Sequence, residues 1–94
     1  MFKIETISNN EIKILGRFTA ADVNAAEPVF NQFIATTIVD FSELDYISSA
    51  GLSVLLKTQK RLKESKAELK LVNMSKMVRE IFHYVGFETI FSIE

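Results

Sequence analysis

The sequence predicts an α/β fold: a mixed, mostly parallel β-sheet with an N-terminal β-hairpin and amphipathic helices packed on it. Three observations lead to this prediction. Apolar and polar residues alternate near the N-terminus, as in half-buried strands, and apolar residues later recur at spacings of three and four, as on one side of a helix. Short β-branched or alternating runs separate the helical stretches, as in strands joined by helical crossovers. The predicted order is β-β-α-β-α-β-α, and 94 residues suffice for one domain, residues 1–94.

The first two strands are predicted to form the hairpin. In the first strand one set of side chains alternates with another: Phe2, Ile4 and Thr6 with Lys3, Glu5 and Ile7. The second strand repeats the pattern over residues 11–15. Ser8–Asn10 carries the side chains that favour tight turns, so we place the turn there. We expect Gly16 to end the second strand.

The first helical stretch runs from Asp22 to Ile34. Its apolar stripe consists of Val23, Ala26, Phe30, Phe33 and Ile34. Because proline fits only the first turn of a helix or else bends it, Pro28 predicts an irregular start at Asp22–Asn24 and a regular helix mainly after Glu27. The β-branched run Thr36–Phe41 then predicts a strand buried on both faces.

The second half predicts two more helices and two strands. A helix begins at Ser48 or Ser49 and ends near Ser65, and its buried stripe is Leu52, Leu55, Leu56 and Leu62. Glu68–Val72 is a strand, and Ile90–Ile93 adds a last short strand or packs on the core. Ser75 caps the third helix, Gly86 follows it as the C-terminal cap, and its stripe is Val78, Ile81, Phe82 and Val85. Because a helix lies between each of the later strands and the next, we expect these strands to be parallel and joined by right-handed crossovers.

Composition excludes several classes of function. With 11 basic and 12 acidic residues, a net charge of −1 argues against nucleic acid as the main partner. The absence of cysteine excludes thiol catalysis and thiolate zinc sites. No signal peptide and no membrane-spanning run are recognisable, so we expect a cytoplasmic protein without a membrane partner. One basic cluster is interpreted as the solvated side of an amphipathic helix: Lys57, Lys60, Arg61 and Lys63.

The residues suited to catalysis are few. His83 is the only histidine, and its place beside the buried stripe favours a structural role. A triad of Ser49, His83 and Asp45 has no supporting motif, because no glycine-framed nucleophile elbow is present. No glycine-rich phosphate loop occurs either. The acidic group Asp40, Glu43 and Asp45 is interpreted as strand-end and loop residues. The sequence therefore predicts no enzyme, no metal site and no cofactor.

One segment differs from the rest of the chain. Tyr46–Leu52 joins the exit of the third strand to a helix, and residues 48–51 are all small, which leaves the helix N-terminus open. Free N–H groups and the helix dipole favour a phosphate on Ser49. Serine is also a preferred N-cap, which accounts for the Ser-Ser pair without any modification. Gly51 is explained equally well as a point of close contact between helix and sheet.

This segment, with Ile38–Phe41 before it and Ser53–Leu56 after it, resembles the signature of STAS domains, in particular the stand-alone bacterial anti-sigma factor antagonists. Three further segments match the family in order: Gly16–Phe18, Leu69–Asn73, and Ile81–Phe82 with Gly86–Phe87. The resemblance covers nearly the whole chain.

The resemblance implies a function and a site. In the family, the serine at the position of Ser49 is phosphorylated by an anti-sigma factor that is also a serine kinase, and a metal-dependent phosphatase removes the phosphate. The unphosphorylated form binds the kinase and frees the sigma factor; Mg-ATP belongs to the kinase. The partner surface implied here is Thr19, Asp45, Tyr46, Ser48, Ser49, Ala50 and Gly51. The expected state is a monomer or weak dimer.

The chain departs from the family at two positions. Ser48 stands where an aspartate is common, and is an alternative acceptor; Thr19 stands where another acidic residue is common. Two other functions compete with the phosphorylation switch. One is nucleotide binding at the open helix N-terminus. The other is a non-switching structural subunit of a transporter or stress complex.

Overall fold

The computed structural model describes residues 1–94 and contains one five-stranded sheet in the order β1-β2-β3-β4-β5. The strands are β1 (Lys3–Ser8), β2 (Glu11–Phe18), β3 (Thr37–Ile47), β4 (Leu69–Val72) and β5 (Ser92–Ile93). The helices are α1 (Val23–Phe30), α2 (Ser49–Glu64) and α3 (Lys76–Tyr84). β1 is antiparallel to β2 and all other neighbours are parallel, which confirms the predicted fold class.

The helices pack on one face of the sheet, and the other face is open. The 19 buried apolar residues form one cluster between helices and sheet. Along β3, Val39 and Phe41 are fully buried while the intervening Ile38 and Asp40 are only half-buried. The prediction that this strand is buried on both faces was therefore wrong. A β-branched composition is compatible with a strand covered on one face or on both, so the composition could not distinguish the two cases.

Charged residues form cross-strand pairs on the open face. Lys13 of β2 donates to Glu43 Oε2 at 2.9 Å, and this hydrogen bond raises the pKa of Lys13. Lys13 also lies in register with Asp40 of β3. Burial opposes ionisation of Asp40, but hydrogen bonds from Ser42 and Asn73 hold its pKa below the ordinary value.

Both central strands are longer than predicted. β2 continues through Gly16 to Phe18, because Gly16 takes φ +85° at an irregularity in the pairing with β3 instead of ending the strand. β3 continues from Phe41 to Ile47 through a second irregularity. Glu43 and Asp45 consequently lie within a strand, and not in a loop as predicted.

The regular part of α1 begins and ends earlier than predicted. Thr19 N–H and Oγ1 donate to Asp22 Oδ2 at 2.9 and 3.0 Å, so a 3₁₀ turn over Ala20–Asp22 leads directly into the helix. Arg61 of α2 donates to the carbonyls of Phe30 and Phe33 at 2.9 and 2.6 Å and satisfies the helix end. Arg61 is thus a structural member of the basic cluster.

The later helices match their predicted boundaries closely. Ser75 accepts from Val78 N–H at 3.2 Å, and Gly86 follows α3 with φ +76°. Two residues assigned to buried stripes are exposed, Ile34 at 85% and Val85 at 48%, because each lies beyond the end of its helix. Ser92–Ile93 forms the predicted last strand.

One buried polar side chain connects three elements. Gln59 of α2 is 2% exposed. Its Oε1 accepts from Leu69 N–H at the start of β4, and its Nε2 donates to the carbonyl of Ile90, both at 2.8 Å. Gln59 was not among the residues predicted to be buried, because the predicted stripe contained only apolar residues and glutamine is most often exposed.

Candidate functional site

The candidate site forms where two parallel strands end side by side. Phe18 is the last residue of β2 and lies in register with Ile47, the last residue of β3. Ser48 N–H then donates to the carbonyl of Phe18 at 2.9 Å. The residues that follow the two strands, Thr19 and Ser48, are therefore held next to each other at one end of the sheet.

The first turn of α2 lies unusually close to these strand ends. Gly51 is buried in that turn, and a Cβ at this position would lie 2.9 Å from Cγ1 of Ile47 and 3.0 Å from Cγ of Phe18. Both neighbours are fixed in the core. Gly51 thus sets the position of the helix start and does not itself lie on the surface.

The two adjacent serines have different environments. Ser48 is the N-cap of α2, and its Oγ accepts from Gly51 N–H at 3.3 Å. Ser49 is the first helical residue and is exposed; its carbonyl accepts from Ser53 Oγ at 3.0 Å, but its own hydroxyl forms no hydrogen bond within the chain. The backbone N–H groups of Ser49 and Ala50 are also without an acceptor in the chain. Ser49 therefore presents a free hydroxyl beside two free amides.

Thr19 lies at the same end of the sheet, with its hydroxyl engaged by Asp22. The 3₁₀ turn that begins after Thr19 packs beside α2 and carries the exposed Ala20 and Ala21. Asp22 was not predicted as a site residue. Its carboxylate nevertheless lies directly at Thr19, the position where the family resemblance implies that an acidic residue is common. The only signal for Asp22 in the sequence was its spacing of three residues from Thr19, which is typical of a capping box.

The remaining predicted residues lie around this end of the sheet. Ala50 is half-buried beside Ser49. Asp45 is exposed on β3. Tyr46 alternates with the buried Ile47 and so lies on the open face, where the Arg17 guanidinium stacks 4.5 Å from its ring centroid. Thr19, Ser48, Ser49 and Ala50 are thus brought together, and Asp45 and Tyr46 lie at one side.

The three side chains considered for a catalytic triad are not joined by hydrogen bonds. His83 Nδ1 contacts Glu88 Oε1 at 2.6 Å, and no hydrogen bond connects His83 with Ser49 or Asp45. No three metal-ligating side chains converge anywhere in the chain. The triad considered from the sequence is therefore not formed.

His83 has a raised pKa because its ring is hydrogen-bonded to the charged carboxylate of Glu88. We expect Glu88→Gln to lower the His83 pKa towards its ordinary value of about 6.5. Because the folded-state pKa is the higher one, this pair stabilises the fold below pH about 6.5, and its contribution is lost as pH rises through the folded-state value. NMR titration of the imidazole resonances measures the shift; an unchanged His83 pKa in the variant would contradict the assignment.

None of the three helices is both long and apolar enough to cross a bilayer.

The chain belongs to the STAS domain family, whose model matches residues 3–94. The fold agrees with this assignment. The anti-sigma factor antagonist SpoIIAA in its unphosphorylated form superposes with a TM-score of 0.76 and 21% identity, over 100% of this chain and 88% of that one. SpoIIAA of Bacillus in the phosphorylated form superposes with a TM-score of 0.71 and 20% identity, over 100% of this chain and 91% of that one.

Two further relatives carry a functional assignment. A protein of Thermotoga maritima, assigned as an anti-sigma factor antagonist, superposes with a TM-score of 0.80 and 18% identity, over 99% of this chain and 85% of that one. BtrV of Bordetella bronchiseptica, assigned likewise, is 45% identical over 56 residues, which are 60% of this chain. The matched region spans 48% of BtrV, about half its length.

Proposed function

We propose that residues 1–94 form a single STAS domain that acts as an anti-sigma factor antagonist and not as an enzyme. In this proposal the unphosphorylated form binds an anti-sigma factor that is also a serine kinase, and thereby frees a sigma factor. Phosphorylation of Ser49 ends the binding, and a metal-dependent serine phosphatase restores it. The similarity to BtrV and the family membership support the general role.

The observation that carries the switch is the contrast between Ser48 and Ser49. The Ser48 hydroxyl is engaged as the N-cap, whereas the Ser49 hydroxyl is exposed and unbonded. A phosphate on Ser49 would meet the free N–H groups of Ser49 and Ala50 and the positive end of α2, so it would cost the fold little. Its charge of about −1.5 to −2 would obstruct a partner that covers this surface.

The proposed partner surface consists of the small residues around that hydroxyl together with its rim. Ser48, Ser49 and Ala50 form its centre, and Gly51 sets its position from beneath. Thr19, Asp45 and Tyr46 form the rim. Small side chains at the centre allow the backbone of a partner, or the γ-phosphate of its ATP, to approach closely.

Incubation with the cognate kinase and Mg-ATP is expected to add one phosphoryl group, measured by intact-mass spectrometry with the site localised. Ser49→Ala should abolish the addition. Ser48→Ala is the matched control: it should retain the addition at Ser49 and lose about 1 kcal/mol of stability through the missing cap. Phosphate on Ser48 would overturn the assignment of the acceptor.

A binding assay separates the switch from a constitutive interaction. Ser49→Asp should bind the kinase at least about tenfold more weakly than the unmodified protein, because it places a negative charge in the covered surface. Equal affinity would instead support a non-switching structural subunit.

A further inference from the structure

Strand β1 forms one edge of the sheet and has a free side. It contains six residues and pairs only with β2. The opposite edge, β5, contains two residues and offers little backbone for pairing. An edge strand of the length of β1 pairs readily with another strand unless its side chains oppose the contact. The side chains of β1 therefore determine which strand can pair with its free side.

We propose that two copies of this chain pair antiparallel through β1, about a two-fold axis at Ile4, and join their sheets into one. In this register Lys3 of each copy lies opposite Glu5 of the other. Ile4 meets its own equivalent on the helix side of the sheet. The occupant of the free edge is thus a second copy of the same strand.

The charges on the open face continue across this contact. Within one chain, Asp40 of β3 lies in register with Lys13 of β2, and Lys13 lies in register with Glu5 of β1. The signs alternate from negative to positive to negative as far as the sheet edge. Lys3 of the second copy would supply the next positive charge beside Glu5. Opposite charges directly across a strand pair are stabilising, and like charges are destabilising.

The charge pattern also selects the register. A shift of two residues in either direction would bring Lys3 opposite Lys3 or Glu5 opposite Glu5. A shift of one residue would turn the helix side of one copy towards the open face of the other.

The proposed contact does not involve the surface around Ser49. That surface follows β2 and β3 at the end of the sheet, whereas the contact runs along the outer side of β1. Self-association and the binding of a kinase are therefore independent, and neither result decides the other.

Charge exchange tests the pairing directly. Sedimentation equilibrium of the unmodified protein up to about millimolar concentration should reveal a dimer. Lys3→Glu and Glu5→Lys should each weaken it by at least about tenfold, because each variant turns both cross-strand pairs into like-charge contacts. Both side chains lie on the open face at the sheet edge, outside the buried core, so circular dichroism should show that each variant still folds, although Glu5→Lys also places a lysine opposite Lys13 of its own chain.

The decisive sample is an equimolar mixture of the two variants. The Lys3→Glu chain carries two acidic side chains at positions 3 and 5, and the Glu5→Lys chain carries two basic side chains there. The two cross-strand pairs between unlike chains are then attractive, so the mixture should form a heterodimer although neither variant dimerises alone. The double variant Lys3→Glu/Glu5→Lys should regain self-association. A monomeric unmodified protein, or a dimer indifferent to these exchanges, would overturn the proposal.

Discussion

Replacing Gln59 by leucine is expected to lower the free energy of unfolding by about 2–4 kcal/mol, although leucine is apolar and the site is buried. The carboxamide of Gln59 satisfies Leu69 N–H at the start of β4 and the carbonyl of Ile90 before β5. Leucine can do neither, so a buried N–H and a partly buried carbonyl lose their partners. The gain from burying additional apolar surface offsets only part of that cost.

Urea unfolding of the variant and of Gln32→Leu measures this effect. Gln32 is an exposed glutamine just after α1 and forms no side-chain hydrogen bond, so its replacement should change stability by less than about 0.5 kcal/mol. Equal stability of the two variants would mean that the carboxamide of Gln59 does not connect α2 with β4.

Replacing Gly51 by valine is expected to cost about 1–3 kcal/mol and to displace the first turn of α2. Even the Cβ of valine would lie 2.9 Å from Ile47 and 3.0 Å from Phe18, and both of these side chains are almost completely buried. They cannot move without disturbing the core, so the helix start must shift. Because Ser48 and Ser49 belong to that turn, binding of the proposed kinase partner should weaken although both hydroxyls are retained.

Lys60→Val, at an exposed position of the same helix, is the matched control. It introduces the same β-branched residue without a steric conflict and should leave both stability and the first turn nearly unchanged. Hydrogen exchange at the amides of residues 51 and 52, which are bonded to Ser48, should accelerate in Gly51→Val alone. Unchanged exchange and full kinase binding in that variant would show that the close packing is not required.

The order and type of the elements could be predicted because the hydrophobic period changes clearly along the chain. Local signals also placed the caps Ser75 and Gly86 correctly, since cap residues act within one turn of the helix end. Boundaries set by distant contacts could not be predicted. α1 ends at Phe30, where Arg61, 31 residues later, satisfies the carbonyl. The continuation of β3 to Ile47 likewise depends on pairing with β2.

The candidate site could be predicted in part because its central residues are local in the sequence. The exposed Ser49 and its small neighbours are adjacent in sequence, and family resemblance identified the segment. Two features of the site are not determined by the local sequence. Either serine of the pair fits the N-cap preference, and only the contact with Gly51 N–H assigns the cap to Ser48. Asp22 reaches Thr19 through a capping box, a geometry that sequence alone does not distinguish from an ordinary exposed aspartate.

The anchoring of the α2 start to the ends of β2 and β3 has a thermodynamic consequence. Ser48 N–H is bonded to Phe18, and Gly51 is packed against Phe18 and Ile47, so the surface around Ser49 is preorganised. A partner that docks there loses little conformational entropy on this side of the interface. Under the proposed function, phosphorylation of such a rigid surface needs no change of shape. The added charge alters the complementarity to the partner, and the domain itself stays as it is.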